Sequence, residues 1–535
     1  MTFLNTTILS WIIFLPLIGI AALLFVKSER AVRWTALVFT AITFAASLHL
    51  PFHWSSAGGG FQFLQRHSWI PAFHIEYLVG ADGLSLWLTV LTTLLSLIGV
   101  AVSWKSVKTN IKAFFVLLLL LETGMLGVFC SLDLFLFYVF WEITLVPMAF
   151  LIGIWGHERR LYAAVKFFLY TMAGSVLMLG CILWLYNLTG TFDFTAIKAG
   201  LASGLFTLSP TVELWLFLGF FIAFAIKVPL FPFHTWLPDA HVEAPTAGSV
   251  LLAGVLLKMG PYGMLRFNLE LFPHAARECA WAIVVLGLIG IIYGALVAFV
   301  QPNMKKLVAY SSVSHMGFII VGVFTFSLIG TQGAIYQMLN HGISTGGLFI
   351  LVGMLYERRH TFDLKEYGGI ATVMPIYAGF FIWLVMSSVG LPLLNGFVGE
   401  FMVMVGTFTA AVAHAHVYAI IAAIGVIVAA MYLLQWTRLT LWGPLENAKN
   451  KVLQDLDLRE KVVLATLAIL TLVMGVASPF FLNKTAATTQ QEVAIYQPGA
   501  RGILAAHLKS APSAGPAAGP RADRRSAPTP AGGAQ

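Results

Sequence analysis

The sequence is poor in charged residues and in cysteine. Only 10% of its 535 residues are Asp, Glu, Lys or Arg, whereas a soluble domain carries about 25%. This deficit excludes a protein whose surface lies mainly in water. The three cysteines, Cys130, Cys181 and Cys279, show no metal-ligand spacing, and we interpret them as buried packing residues. No iron–sulfur or haem motif is visible.

Long apolar runs occupy most of the chain instead. Hydrophobic residues make up 59% of it and the mean hydropathy is +0.87. Runs of about 20 apolar residues are long enough to cross about 30 Å of hydrocarbon. The sequence therefore predicts an all-α integral membrane protein with about fourteen transmembrane helices. We number these spans 1 to 14, at approximately 4–26, 31–50, 82–104, 113–131, 134–155, 162–187, 212–236, 246–267, 279–300, 307–328, 332–356, 373–411, 415–441 and 461–482.

The two ends of the chain differ in composition from these spans. The first apolar run is not followed by a small-residue cleavage site, so we expect a retained first helix rather than a signal peptide. From about Arg501 the chain is rich in Ala, Pro, Gly, Ser and Arg without periodicity. This composition predicts a disordered tail over 501–535.

Two spans contain helix breakers. Span 7 holds Pro229 and Pro232, and span 12, too long for one straight crossing, holds Gly390 and Pro392. Proline removes a backbone donor and clashes with the preceding turn. We therefore expect broken helices, which at membrane depth survive only inside protein or against a water-filled cavity.

The distribution of basic residues predicts the orientation. The loops after odd-numbered spans hold seventeen Lys and Arg, whereas the loops after even-numbered spans hold four, namely Arg66, Lys198, Arg266 and Arg277. The positive-inside rule places the odd loops in the cytoplasm. With fourteen spans, both termini then face the periplasm.

Ionisable residues inside apolar spans are the strongest functional signal. Each costs at least about 2.5–3.5 kcal/mol at a helix centre, so a functional role is the default interpretation. One structural alternative is a set of buried ion pairs, for example between Glu142 and Lys227, and Glu122 has the same alternative with a lysine. Buried pairs are poor stabilisers once desolvation is counted. The candidate proton-pathway residues are Glu122, Glu142, Lys227, Lys258, His315, His341 and Glu400.

These residue types suit proton transfer. Burial in general lowers the pKa of a lysine and raises that of a carboxyl group, so both exchange protons nearer neutral pH, where histidine already titrates. Lys227 precedes one break and Glu400 follows the other, positions that the helix dipoles favour. Opposed broken helices are typical of an inverted repeat. We expect spans 4–8 to mirror spans 9–13, with Glu142 corresponding roughly to His315.

Several long motifs resemble a known family. They are Tyr138–Met148, Ala225–Ser249 continuing to Lys258, Ser312–Phe318, Gly396–Phe401 and Gly80–Leu86. Over about residues 75–440 the chain resembles the antiporter-like membrane subunits of respiratory complex I. A glutamate at position 400 resembles the M-type branch of that family, whereas the other two types usually place a lysine there. Leu393 and Leu394 depart from the family pattern and make the second break more apolar.

The resemblance implies a subunit that translocates protons while partner subunits perform the redox chemistry. NADH, FMN, iron–sulfur clusters and quinone would then be bound by those partners, with no cofactor or metal in this chain. The implied partners are other membrane-arm subunits, neighbouring antiporter-like subunits among them, together with lipid and protons but not nucleic acid. The implied location is a bacterial inner membrane. We divide the chain into 1–110, spans 1–3; 111–445, the antiporter-like proton-translocating domain; 446–500, span 14 with its flanks; and the tail.

Other classes of protein share some of these features. A subunit of a multi-subunit Na⁺/H⁺ antiporter has the same fold and many of the motifs, and the genes beside it would not encode dehydrogenase subunits. A sugar or drug transporter would need a substrate-sized cavity lined by aromatic and amide groups, whereas the midplane here holds single charges and histidines. A purely structural membrane subunit would carry buried ion pairs and no proton flux.

Overall fold

The computed structural model describes residues 2–496 of the chain, with side chains from residue 5 onward. These residues are mostly helical, as predicted. Twelve of the described helices are long and apolar enough to cross a membrane, and a bent pair near the C-terminus makes a thirteenth. The predicted tail, 501–535, lies outside the described residues. The chain is therefore a multi-pass membrane protein.

Each predicted span corresponds to a helix or to a pair of half-helices. Spans 1–6 are Thr2–Phe25, Glu29–Ser47, Ser85–Ser106, Ile111–Cys130, Leu134–Trp155 and Arg160–Thr189; spans 8–11 are Thr246–Leu269, Pro273–Phe299, Met304–Phe324 and Leu328–Arg359; span 13 is Ala415–Leu441. Span 8 contains two π-helical turns, Leu252–Leu256 and Met264–Leu269. Short helices lie at His49–Phe52, Phe194–Ser203, Ile370–Val373 and Ala448–Lys451, with 3₁₀ turns at Pro71–Phe73 and Leu364–Glu366.

Both predicted breaks are present. Span 7 consists of span 7a, Pro210–Lys227, and span 7b, Trp236–Glu243. Span 12 consists of span 12a, Pro375–Val389, and span 12b, Asn395–Phe408. The sequence placed the end of span 7 at 236, where span 7b only begins, so the span extends seven residues further than predicted.

The end of span 14 was predicted wrongly. The helix Leu458–Val476 stops well before residue 482, and the chain turns by 68° into a second helix, Ser478–Ala494. Pro479 occupies the first turn of that second helix, where a missing N–H costs nothing. We call Ser478–Ala494 the C-terminal helix.

Contacts between loops agree with the alternating crossings. We call the end of the bundle with the loops after odd-numbered spans the odd end, and the opposite end the even end. Lys105, after span 3, bonds Asp457, after span 13, at 2.7 Å. Arg66, after span 2, bonds Asp193, after span 6. Each contact joins two loops of the same parity.

A repeated bridge relates the two halves of the bundle. Asp133 caps span 5 and bridges to Asp193, which caps the short helix after span 6. Asn303 caps span 10 and bridges in the same way to Asp363, after span 11. Both members of the second bridge lie 170 positions after those of the first. The bridges lie at opposite ends of the bundle, as an inverted repeat requires.

The same offset refines the predicted correspondence of site residues. It carries Glu142 to Ser312, one turn before His315. It carries Lys227 to position 397, one turn before Glu400. The two pairs are therefore displaced by the same three residues, and the rough match of Glu142 with His315 is accurate to one helical turn.

A short hairpin at the even end was not predicted. β1, Gln62–Ile70, pairs antiparallel with β2, Ile75–Ala81. It lies between spans 2 and 3, in a stretch that contains no long apolar run, and a search for transmembrane helices therefore passed over it. It leads directly into span 3.

The two least hydrophobic spans, 8 and 11, lie at the centre of the bundle. Spans 8 and 11 are buried along their length, and span 10 almost so, whereas spans 2 and 6 expose most of their surface. The buried spans carry Lys258, His315 and His341. Of the three cysteines, Cys130 is buried as predicted, while Cys181 and Cys279 are only partly buried.

Candidate functional site

Lys227 is the last residue of span 7a and is buried. Its position at a helix C-terminus, predicted from the sequence, places the cation at the negative end of the helix dipole. Its Nζ donates to Oγ1 of Thr144 at 3.4 Å and lies 5.0 Å from the ring centroid of Trp141. Span 5 therefore holds the ammonium with a hydroxyl and an aromatic face rather than with a carboxylate.

Glu142 lies close by without forming a contact pair with Lys227. It follows Trp141 on span 5 and is only half-buried, and no N–O distance between it and Lys227 is within 4.0 Å. Its Oε1 has no hydrogen-bond partner among the described residues. The two charges still interact through space. The pair is thus separated in this structure, with Thr144 as the direct partner of the lysine.

Lys258 and His341 form the central contact of the site. Nζ of Lys258 donates to Nδ1 of His341 at 2.6 Å and also to the carbonyl of Ala253. Ala253 lies in a π-helical turn, a distortion common at functional sites. When Lys258 is protonated it only donates, so His341 then accepts at Nδ1 and carries its proton at Nε2, an atom without a partner among the described residues.

His315 and Glu400 form the next contact. Nδ1 of His315 lies 2.8 Å from Oε1 of Glu400, and Nε2 of Gln337 donates to the same oxygen at 2.9 Å. Nε2 of His315 lies 3.3 Å from Oγ of Ser388. All of these side chains are buried. Glu400 is the sixth residue of span 12b, so these hydrogen bonds hold the carboxylate more directly than the helix dipole, which acts mainly in the first turn.

The two contacts join into one row. The ring centroids of His341 and His315 are 5.7 Å apart. The row therefore runs from Lys258 through His341 and His315 to Glu400, with side chains from four different spans. Each member is of an ionisable residue type, and the histidine-to-histidine gap is short enough for one water or a ring movement to close. We call these four residues the central row.

The second helix break shapes the space around Glu400. Gly390 has φ of 86°, and a Cβ placed there would lie 3.4 Å from Oε2 of Glu400. Oγ of Ser387 donates to Oδ1 of Asn395 at 2.6 Å across the break, and Nδ2 of Asn340 donates to the Asn395 carbonyl at 2.8 Å. Side chains thus replace part of the backbone bonding that the break removes.

The apolar departure from the family pattern packs against span 14. Leu393 has φ of 78° and its side chain is largely exposed, while Leu394 is buried. The carbonyl of Leu393 approaches Gly475 of span 14 so closely that a Cβ there would be 1.9 Å away. The two leucines therefore fit the break against span 14.

Glu122 stands apart from the central row. It is fully buried, and neither carboxylate oxygen has a hydrogen-bond partner among the described residues. It forms no ion pair with Lys227 or Lys258, the alternative considered from the sequence. Its role in a proton pathway stays a prediction.

Sequence reasoning missed two buried groups on the odd side of the row. His241 of span 7b is fully buried, stacks on Phe349 at 4.3 Å, and lies within electrostatic range of both Lys258 and Lys305. Lys305 donates to the carbonyls of Val242 and Ala244 at 3.3 and 2.6 Å. His241 lies within a motif that the sequence did single out. Lys305 was counted as a loop residue because it stands at the start of span 10.

A histidine at the odd end, His157, interacts electrostatically with Lys305. His157 lies between spans 5 and 6, and its Nδ1 is 3.2 Å from the Tyr356 hydroxyl. Burial, with the positive charge of Lys305 as a second cause, lowers the pKa of His157 to about 4.

The residues present are of types that suit proton transfer. Among the described residues, no three His, Cys, Asp or Glu side chains are grouped so as to hold a metal ion. The site consists of single titratable groups in a row, joined by hydrogen bonds or short gaps. This arrangement is suited to relaying a proton from one group to the next.

A family model described as "NADH:quinone oxidoreductase/Mrp antiporter, TM" matches residues 131–436, more than half of the chain. The chain belongs to this family. NADH-quinone oxidoreductase subunit M of Rhodobacter capsulatus is 45% identical over 482 residues, covering 88% of this chain and 93% of that protein. The subunit M of Rickettsia prowazekii is 42% identical over 485 residues, covering 90% and 97%. These relatives confirm the resemblance to the M-type branch of the family.

Solved structures agree with this membership. A chain in the structure "Respiratory complex I from Thermus thermophilus with bound NADH" is 31% identical, with a TM-score of 0.83, covering 92% of this chain and 100% of that one. A chain of the Mrp complex from Dietzia is 21% identical, with a TM-score of 0.78, covering 95% and 56%. The Mrp likeness shows the shared fold alone.

Proposed function

We propose that this chain is a membrane-arm subunit of a proton-pumping NADH:quinone oxidoreductase, and that it translocates protons while partner subunits pass electrons from NADH to quinone. The observation that carries the proposal is the central row, Lys258–His341–His315–Glu400, buried between the two broken helices. NADH, FMN, iron–sulfur clusters and quinone belong to the partners. Neighbouring antiporter-like subunits lie beside this one in the membrane.

The proton pathway includes the central row together with Glu142 and Lys227, and we retain Glu122 as a further member. Glu142 and Lys227 already interact without direct contact, so a small movement of span 5 changes the field at the lysine. A change in the protonation of Lys227 alters the field at Lys258, and a proton moves along the row as each group changes charge. The domain at 111–445 contains all of these residues.

The orientation follows from the charge distribution. The odd end, to which the predicted spans assign seventeen basic loop residues against four, faces the cytoplasm of a bacterial cell. Both termini then lie on the periplasmic side of the inner membrane. His241 and Lys305 stand between the central row and the cytoplasmic side.

A subunit of an Na⁺/H⁺ antiporter is the second candidate. It is less favoured because proteins named subunit M share 41–45% identity with this chain, whereas the Mrp chain shares 21%. An antiporter predicts sodium-dependent proton movement that does not respond to NADH.

The test replaces Lys227 and Glu142 singly with Ala in the whole complex and measures NADH-driven proton pumping in membrane vesicles. Lys451→Ala, at an exposed position at the odd end, serves as the control. We expect both pathway variants to assemble and to pump far less than the control. Normal assembly with pumping at the wild-type rate in both variants would remove the proton-pathway interpretation.

A further inference from the structure

A buried cluster of charged residues at the even end has no role in the pathway described above. Arg266 of span 8 is 2% exposed, and its guanidinium donates to Asp82 at 2.6 Å and to Glu270 at 3.1 Å. Lys198 bonds the other oxygen of Glu270. The fifth member is Glu492 of the C-terminal helix. We call these five residues the even-end cluster.

Glu492 is held in place but has no partner. It is 4% exposed, and neither of its carboxylate oxygens has a hydrogen-bond partner among the described residues. Its helix is fixed on both sides of it. The Gly83 amide donates to Oγ1 of Thr488 at 2.9 Å, and the Tyr496 hydroxyl donates to the carbonyl of Leu269 at 2.7 Å.

The charges of the cluster do not balance if every carboxyl group is ionised. Three carboxyl groups, Asp82, Glu270 and Glu492, face two cations, Arg266 and Lys198. Asp82 and Glu270 each accept a hydrogen bond from a cation, so they account for both positive charges. An ionised Glu492 would be a buried carboxylate without a hydrogen bond, which is far more costly than a neutral carboxylic acid.

The other groups that face Glu492 supply no further positive charge. The hydroxyl of Tyr262 donates to the Phe129 carbonyl and its ring lies 5.5 Å from the Arg266 guanidinium. Arg277 lies over the ring of Tyr496 at 5.4 Å and bonds the Ile495 carbonyl, without a hydrogen bond to Glu492. The extra negative charge is therefore most simply removed by a proton on Glu492.

We propose that Glu492 is a proton-binding site at the even end, through which protons pass between the pathway and the aqueous face there. This inference rests on the proposed function. The O–H bond of Glu492 breaks and the proton goes to water at the even-end surface, while Arg266 and Lys198 offset part of the remaining carboxylate charge through space. A proton arriving from the interior re-forms the O–H bond.

The position of the cluster on span 8 links it to the central row. Arg266 lies eight residues after Lys258, or about 12 Å along the helix at 1.5 Å per residue. Tyr262 lies midway between them, one turn from each. A π-helical turn contains Arg266 itself, so the cluster and the row share one irregular, buried helix.

The test compares Glu492→Gln with Asp82→Asn in the purified whole complex. Gln keeps the shape of a neutral carboxylic acid, whereas Asn at position 82 removes a direct partner of a buried cation. We expect Glu492→Gln to assemble with an unchanged Tm and Asp82→Asn to lower the Tm clearly. If Glu492 were ionised and stabilised the fold by pairing with Arg266, Glu492→Gln would instead lower the Tm. Failure of the Glu492→Gln complex to assemble, or a Tm loss equal to that of Asp82→Asn, would therefore overturn the proposal.

Two further measurements address the proton itself. Infrared difference spectra between the oxidised and NADH-reduced complex should show a protonated-carboxyl band that is lost in Glu492→Gln, and protons pumped per NADH should fall at least twofold. An unchanged band and unchanged pumping would overturn the inference. Lys227→Ala is measured in the same series, so that failure of this inference can be told apart from failure of the proposed function. If Lys227→Ala loses pumping and Glu492→Gln pumps normally, only the role of Glu492 is rejected. If Lys227→Ala pumps normally, the proposed pathway itself is rejected.

Discussion

The ammonium of Lys258 lies 2.6 Å from Nδ1 of His341, between two spans that are buried along their length. Neither residue has a carboxylate within ion-pair distance. A lysine that bonds a neutral histidine is a costly way to hold two helices together in a membrane, because nothing compensates its charge. The contact is better suited to passing a proton, and this distinction leads to several predictions.

Replacing His341 with Gln separates the structural role of this contact from its proton-transfer role. The Gln carbonyl still accepts from Lys258, but the amide does not bind a proton, so assembly should be normal. We expect the rate of NADH-driven proton pumping to fall on the order of a hundredfold or more, the scale of a lost positioned acid–base group. Pumping is measured in vesicles with His53→Gln, an exposed histidine, as the control. Wild-type pumping in His341→Gln would show that this histidine is only structural.

Glu400 should require an ionisable side chain. Glu400→Gln keeps the size of the side chain and leaves an oxygen to accept from Gln337, but it does not change charge. We expect it to assemble and to lose most pumping, while Glu400→Asp, which still ionises, retains a larger share. The measurement is protons pumped per NADH oxidised. Equal pumping by the two variants would mean that the charge of Glu400 does not matter.

Gly390 should be destabilised by an added side chain, in contrast to Gly379 of the same broken span. At Gly390, φ is 86° and an added Cβ would contact the Glu400 carboxylate, whereas a Cβ at Gly379 meets nothing within 4 Å. Gly390→Ala should lower the free energy of unfolding by about 1–2 kcal/mol, and Gly379→Ala should leave it unchanged or raise it by up to about 1 kcal/mol. Thermal unfolding in detergent checks both values. A similar effect of the two substitutions would contradict the backbone geometry of the break.

His157 should make stability depend on pH. Its pKa in the folded protein is about 4, because burial and then the charge of Lys305 oppose its protonation, while an unfolded histidine titrates at about 6.5. Stability from this group is therefore complete above about pH 6.5 and is lost as the pH falls towards about 4, where the folded form also takes up a proton.

The variant His157→Gln removes this dependence. After allowance for solvent screening, the wild-type protein should lose about 1–2 kcal/mol more than the variant between about pH 7 and pH 4.5. Thermal unfolding across this range measures the difference, with His360→Gln, an exposed histidine near the same end, as the control. Parallel pH profiles for His157→Gln and the wild-type protein would show that His157 is protonated as easily in the fold as outside it.

Much of the fold can be predicted from the sequence, because a bilayer permits few backbone structures to cross it. Apolar length predicts helices, and the prolines and glycines near Lys227 and Glu400 predict the breaks. The hairpin of β1 and β2 escaped detection because it lies outside the membrane spans, where hydropathy carries no signal. The bend before Ser478 escaped because the apolar run continues past Val476.

The site was only partly predictable for a related reason. Single charges within apolar runs are visible in a sequence, so Lys258, His315, His341 and Glu400 were found. Which of them touch is a matter of how the helices are rotated, and no sequence pattern predicted the Lys258–His341 bond in place of a Glu142–Lys227 pair. Glu492 carried no signal, because its helix is polar and only the fold buries it.

The most direct test of the central row is proton pumping by the whole complex with Lys258 replaced by Met, reconstituted in liposomes. Met matches the length of the lysine and fills the same buried space without a charge or a proton. If the central row carries the proton, the Lys258→Met complex should assemble but function poorly. Either NADH oxidation and proton pumping both fall sharply compared with the wild-type protein, or fewer protons move per NADH. An assembled Lys258→Met complex that pumps the same number of protons per NADH at the wild-type rate would contradict it.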